Sequence, residues 1–256
     1  MRDILARANR EVLEQLAGSR ALLAFDFDGT LAPIVTDPNG AVMRPSTRRL
    51  LRQVARAYPC VVISGRSRAD VRRRLRGVAL AGMVGNHGLE PGLASTAARR
   101  LVRACLPVLV EHLGGLPGVV IEDKGLSLAV HYRQSRQKKE ARARLLAAAA
   151  RLRDVRLVGG KQVLNILPAG APHKGLALER ARARHRCDTA LYVGDDETDE
   201  DVFTLDQPGE LLAIRVGRRK GSSAAYYVRT QAAVDRLLRE LLALRPRAGR
   251  RGRVDG

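Results

Sequence analysis

Two kinds of hydrophobic pattern alternate along the chain. Short continuous apolar runs at 21–25 (ALLAF), 60–63 (CVVI), 78–84, 190–193 and 211–216 have the length of strands buried on both faces of a parallel sheet. Between them, apolar positions return at helical spacing over 3–17, from Pro45-Ser46 to just before Tyr58-Pro59, over 67–75, from Lys174 to about 184, and over 231–244. A small run at 226–228 precedes the last helix. The order changes between 91 and 170. A helical stretch at 97–113 leads to runs at 119–121 and 126–132, joined by the turn Glu122-Asp123-Lys124-Gly125. A second helix at 136–152 is followed by runs at 155–158 and 162–167 on either side of Gly159-Gly160. Helix, hairpin, helix, hairpin predicts an antiparallel sheet with helices on one face, a separate α+β lobe at 91–170. The expected organisation is an α/β core domain of 1–90 and 171–244, the inserted lobe, and a basic Pro/Gly/Arg tail at 245–256 that is expected to be disordered.

Composition changes this picture little. In 256 residues, 45% are hydrophobic but only 3% are aromatic and none is Trp, so the core is built from Leu, Val, Ile and Ala. The net charge of +20 raises the question of nucleic acid. The arginines, such as Arg72, Arg73, Arg74 and Arg76, or Arg142, Arg144, Arg151 and Arg153, alternate with Ala and Leu as solvated helix faces do. No aromatic platform interleaves with them, so no specific nucleic-acid partner is expected, while the positive field attracts a phosphorylated substrate. Cys60, Cys105 and Cys187 lie far apart with no CxxC and read as buried thiols of a reducing compartment. The first twenty residues hold no apolar signal core and no run is long enough for a membrane span. A soluble, cytoplasmic monomer is the expectation.

Chemistry-bearing residues collect at the ends of the apolar runs. Asp26 and Asp28 follow the first, Ser64-Gly65-Arg66 the second, Gly85-Asn86-His87-Gly88 the third, and Gly194 with six acids in the eight residues 194–201 the fourth. Lys174 opens a helix. Each has a plain alternative: a solvated loop for the Asp pair, a helix cap for Ser64, a turn for His87, and a helix N-terminus for the acids. Taken together, carboxylates converging at the carboxyl edge of an open sheet repel one another unless a hard dication sits between them, and Mg²⁺ fits. Lys and Ser suit a phosphoryl group. A carboxylate can be the nucleophile that forms an aspartyl phosphate, and a second carboxyl two residues on can act as general acid and base.

Asp26-Phe27-Asp28-Gly29-Thr30, Ser64, Lys174-Gly175 and the segment 194–199 resemble the four ordered motifs of the haloacid-dehalogenase superfamily of phosphatases. With Ser64-Gly65-Arg66, the stretch 85–90, Glu122-Asp123-Lys124-Gly125, His131-Tyr132-Arg133 and 194–203, the sequence resembles trehalose-6-phosphate phosphatases. That resemblance implies a Rossmann-like core with a mobile cap inserted between the second and third motifs, and Mg²⁺ as cofactor. It implies Asp26 as nucleophile and metal ligand, Asp28 as general acid/base with its carbonyl on the metal, and Asp195 as a further ligand. Asp196 and Asp199 would lie nearby or act through water. Ser64 and Lys174 would hold the phosphoryl group, with Gly65, Arg66 and His87 on the substrate side and Glu122 and Lys124 gripping sugar hydroxyls. The family usually carries Glu where this chain has Asn165, a departure that bears on sugar specificity. The alternatives are a phosphatase of another sugar phosphate, such as a glucosyl- or mannosyl-phosphoglycerate, and a non-catalytic sugar-phosphate-binding module.

Overall fold

The computed structural model describes residues 1–37, 40–90, 96–205 and 207–245. In chain order its strands are β1 (Arg2–Asp3), β2 (Ala21–Phe25), β3 (Cys60–Ile63), β4 (Gly82–Val84), β5 (Val120–Asp123), β6 (Leu128–His131), β7 (Val155–Gly160), β8 (Val163–Pro168), β9 (Thr189–Gly194), β10 (Leu211–Val216) and β11 (Tyr226–Val228). The helices are α1 (Arg10–Gly18), α2 (Pro45–Ala57), α3 (Arg68–Arg74), α4 (Thr96–Leu113), α5 (Lys138–Ala149), α6 (Lys174–Arg184), α7 (Glu200–Phe203) and α8 (Val234–Leu244).

Seven strands form one parallel sheet in the order β1-β11-β10-β9-β2-β3-β4. After the short edge strand β1, the chain enters the middle of the sheet at β2, builds outward through β3 and β4, and later returns to the other side of β2 with β9. β2 and β9 are therefore the pair at which the direction of winding reverses, where open α/β sheets bind their ligands. Every residue of β2 is buried, as the unbroken apolar run requires. One sheet face is covered by α1, α2 and α8 through Leu13, Leu51, Val54, Leu237, Leu238 and Leu241. The other is covered by α6 and α7 through Ala177, Leu178, Val202 and Phe203.

The remaining strands form an antiparallel sheet, β5-β6-β8-β7. Side chains alternate across it. Leu128, Val130, Leu164 and Ile166 pack with Val102, Leu109 and Leu145 of α4 and α5. Glu122, His131, Val163 and Asn165 face the opposite way and line a cavity shared with the strand ends of the parallel sheet.

Three expected elements differ in extent. The helix predicted at 3–17 starts at Arg10, because Arg2 and Asp3 pair with Tyr226 and Tyr227 and the Asp3 carboxylate accepts from Leu5 N at 3.1 Å. The periodic Ile4 is buried in this extended entry instead. Of the run 78–84 only Gly82–Val84 pairs with β3. The last helix begins at Val234, after a tight 3-10 turn at Gln231–Ala233 capped by the Thr230 hydroxyl. Residues 246–256 of the expected tail lie outside the described residues.

A buried carboxylate ties α8 to α2. Asp235 accepts from Thr47 Oγ1 at 2.6 Å, Ser46 Oγ at 2.8 Å and Arg44 Nη2 at 3.2 Å, all at the start of α2. Asp235→Ala leaves these donors unpaired, and the expected loss is about 2–3 kcal/mol of unfolding free energy, read from urea midpoints.

Candidate active site

The register of β2 and β9 places the first two acidic motifs side by side. Phe25 is opposite Val193, and the N–H of Asp26 donates to the Val193 carbonyl at 2.9 Å. Asp26 and Asp195 thus leave adjacent strand ends, both buried. Gly29, in the left-handed region at φ +79°, closes the turn beneath them; a Cβ there would fall 2.2 Å from the Asp195 carboxylate.

Lys174 fills the space between the carboxylates. The first residue of α6, it is buried, and its ammonium donates to Asp26 Oδ1 at 2.9 Å and Asp199 Oδ1 at 2.8 Å. Asp199 also accepts from Tyr192 OH at 2.7 Å and from the N–H groups of Asp195 and Asp196 at 2.7 and 2.8 Å. Asp196 caps the following 3-10 turn, accepting from Glu197 N at 2.8 Å. From β10, the buried Arg215 donates to the carbonyls of both Asp195 and Asp196 and to Glu200. The turn that carries the carboxylates is therefore held from three sides.

The charges do not balance. Burial disfavours the Lys174 charge, but Asp199 and Asp26 outweigh it and hold the ammonium well above its usual value. Burial likewise works against the Asp199 carboxylate, yet Lys174 and the converging donors keep it ionised. The remaining negative charge falls on the other two acids: burial and neighbouring carboxylates push Asp26 well up and Asp195 up to about 6. Asp195 Oδ1 is buried with no hydrogen-bond partner. Oxygens of Asp26, Asp195 and Asp199 lie within 4.8 Å of one another. Surplus negative charge, an orphaned carboxylate oxygen and an all-oxygen donor set are what a hard cation requires, and the residues fit one.

The segments around Ser64 and His87 surround this centre. Ser64 is buried, and its hydroxyl accepts from Arg66 N at 3.2 Å. Arg66 turns its guanidinium onto Asp28, with Nε at 2.6 Å and Nη2 at 2.7 Å, and onto Asp70 at 2.8 Å. Asp28 is thus oriented by a two-pronged contact. Asn86 and His87 both adopt left-handed backbone conformations, φ 48° and 56°, which turn the His87 ring inward. The ring is buried and neither nitrogen has a partner. Burial, with Lys124 and Lys174 nearby, drives its pKa well below the ordinary value.

The antiparallel sheet forms the roof. Lys124 Nζ donates to Gly65 O at 3.0 Å and Asn165 Oδ1 at 3.3 Å, while Asn165 Nδ2 donates to Val158 O at 3.3 Å. Glu122 pairs with His131 at 2.8 Å. The cavity between the two sheets is about 570 Å³ and open to solvent, and Asp26, Asp28, Gly65, Arg66, His87, Glu122, Lys124, Asn165, Lys174, Asp195 and Asp196 all line it. Sequence reasoning missed Lys161, Tyr192 and Arg215, and named Arg133 only as part of the segment His131-Tyr132-Arg133, with no role. Tyr192 reads as one more apolar position of β9, and nothing marks Lys161 or Arg133 as reaching across to the parallel sheet. Arg215, a charge inside the otherwise apolar run 211–216, carried a usable signal.

Residues 24–231 match the trehalose-phosphatase family. The chain belongs to that family. It is 31% identical over 252 residues to a probable trehalose-phosphate phosphatase 4 of Oryza sativa subsp. japonica, covering 91% of this chain and 68% of the relative. It is 33% identical over 216 residues to a trehalose-phosphate phosphatase of Mycobacterium avium, covering 78% of this chain and 55% of the relative. The chain thus spans little more than half the length of that mycobacterial relative. Among solved structures, it resembles the trehalose-6-phosphate phosphatase C-terminal domain of C. albicans with a TM-score of 0.78 at 24% identity, covering 92% of this chain and 97% of that one. The Aspergillus fumigatus trehalose-6-phosphate phosphatase gives 0.63 at 26% identity, covering 95% and 99%. A sugar phosphatase of HAD subclass IIB, 12% identical over 86% of this chain and 98% of its own, shares the fold with a TM-score of 0.58. The family's haloacid-dehalogenase fold is thus the one observed here. Among the described residues no helix is long and apolar enough to cross a membrane.

The buried imidazole has a consequence for stability. Below the ordinary histidine value of 6.5, the unfolded chain takes up a proton that folded His87 refuses, so this residue's contribution is lost as the pH falls. Urea midpoints at pH 7.5 and about pH 5.5 should fall further for the native sequence than for His87→Gln.

Proposed function

We propose that this chain hydrolyses trehalose 6-phosphate to trehalose and inorganic phosphate, with Mg²⁺ as cofactor. The observation that carries this reading is the placement of Lys174 between Asp26 and Asp199, with Asp28 two residues on, under a polar roof. Asp26 attacks phosphorus, forming the aspartyl phosphate as the bond to the sugar oxygen breaks. Asp28, held by Arg66, gives its proton to that departing oxygen and afterwards takes one from the water that cleaves the acyl phosphate. Lys174 orients Asp26, opposes the burial that raises its pKa, and offers a fixed positive charge to the phosphoryl oxygens. Ser64 and the backbone of Gly65 complete that cradle. Asp26, Asp195 and the Asp28 carbonyl would hold Mg²⁺, with Asp196 and Asp199 behind them. Bound there, the cation adds charge stabilisation to the transferring group.

The segment 91–170 serves as a cap whose roof residues Glu122, Lys124 and Asn165, with His87 below, meet the sugar hydroxyls. Two features support this assignment. The cavity has the volume usual for a small-molecule site. The unpartnered nitrogens of His87 suit a hydroxyl that can both donate and accept. A second reading, another sugar phosphate, draws support from Asn165, whose side chain is neutral and already joined to Lys124 and Val158.

Phosphate release in Mg²⁺ separates these readings. Trehalose 6-phosphate should be preferred over glucose 6-phosphate, sucrose 6-phosphate and the glycosyl-phosphoglycerates. A higher kcat/KM for any of the others would transfer the specificity to it. Asp26→Asn should bring turnover to background with the fold intact by circular dichroism, and retained activity would place the nucleophile elsewhere. Lys124→Ala should raise KM for the sugar phosphate at least about tenfold while leaving a small aryl phosphate little affected; equal changes would remove the roof from sugar recognition.

A further inference from the structure

One cation at the carboxylate centre comes from the other sheet. β7 and β8 are joined by a two-residue turn, Lys161-Gln162, between the paired Gly160 and Val163. Lys161 sends its ammonium down to Asp195 Oδ2 at 2.5 Å. The turn is braced on both sides: Arg133 donates to the Lys161 carbonyl at 2.9 Å and to the Val35 carbonyl of the core at 2.6 Å. The approach is close enough that a Cβ on Gly160 would stand 2.8 Å from Asp196 Oδ2. Asp195 therefore has one oxygen taken by a lysine of the upper sheet and the other, Oδ1, buried without a partner.

The geometry points to Lys161 as a positioning residue that competes with the metal for Asp195 and so couples metal loading to the closure of the upper sheet. This rests on the reading of Asp26 and Asp195 as metal ligands. The cluster holds Asp26, Asp195, Asp196 and Asp199 against Lys174, and Lys161 supplies a second positive charge to the same acids. Without a dication, the Lys161 ammonium compensates Asp195 and pins the hairpin to the core. A dication held by Asp26 and Asp195 would supply that positive charge instead, and its repulsion of the Lys161 ammonium would free the hairpin. The coupling is reciprocal: whatever Lys161 takes from metal affinity, the metal takes from closure. A half-exposed lysine suits this role, because it can swing away into solvent without leaving a buried charge behind.

The 256-residue chain is used, with Mn²⁺ standing in for Mg²⁺ and free Mn²⁺ read by electron paramagnetic resonance. Lys161→Met should bind Mn²⁺ about tenfold more tightly than the native sequence, and Lys161→Arg should stay close to native. In hydrogen exchange, Mg²⁺ should speed exchange of the 155–168 hairpin in the native chain. In Lys161→Met the hairpin should exchange fast with or without metal. Equal or weaker Mn²⁺ binding by Lys161→Met, no Mn²⁺ binding at all, or a hairpin that Mg²⁺ protects would each overturn the proposal. None of these readouts uses turnover. A chain that shows the Mn²⁺ effect yet leaves trehalose 6-phosphate intact would keep the coupling and lose the substrate assignment. Hydrolysis with unchanged Mn²⁺ affinity would do the reverse.

Discussion

The bond pattern of Lys174 is the constraint on which the rest depends. A buried ammonium survives only when paired, and here it is paired twice, with Asp26 at the end of β2 and Asp199 beyond the end of β9. That double contact fixes the first turn of α6 against the sheet and aligns the strand ends that carry the acids. Tyr192 and the backbone amides around Asp199 then complete the lone pairs of a carboxylate that does not line the cavity. Asp199 is in effect the foundation, and Asp26 and Asp195 are less fully satisfied.

The two sheets meet in an unequal way. From above, Lys124, Arg133 and Arg156 donate to the main-chain carbonyls of Gly65, Val35 and Pro172. Below, ion pairs and buried carboxylates bind the centre together. Hydrogen bonds from these partly buried cations to neutral carbonyls are more readily exchanged for water than the fully buried ion pairs are. The firm contacts thus lie within the carboxylate centre and the weaker ones between the sheets. Lys161 is the exception, a cation from above that reaches an acid below.

Much of this was legible in the sequence, for identifiable reasons. Buried parallel strands are continuous apolar runs, so β2, β3, β9 and β10 could be read directly, and the acids at their ends followed. The antiparallel sheet showed itself through paired short runs around turn residues. The expectation failed where long-range pairing overrode local pattern: Arg2 and Asp3 join a sheet edge through β11, more than two hundred residues away, and no local periodicity encodes that. The same limit applies within the site. Asp28 is visible as the second acid of a pair, but the two-pronged hold of Arg66 on it, across 38 residues, depends on how α3 is set beside β2. Lys161, on a hairpin tip between unremarkable neighbours, becomes meaningful only once the sheets face each other.

Tyr192 gives the molecule an optical handle on its own chemistry. The chain has no tryptophan and five tyrosines, and one of those phenols lies at the bottom of the site, 2.7 Å from Asp199 and among acids whose charge a ligand would change. Its ring is locked edge-on against Phe203 in the core, so its orientation is fixed and its near-ultraviolet signal is not averaged away. Light absorbed by this one residue samples the electric field at the carboxylate centre. Events at Asp26 and Asp195 can thus be followed in the unlabelled protein, without waiting for a product to form.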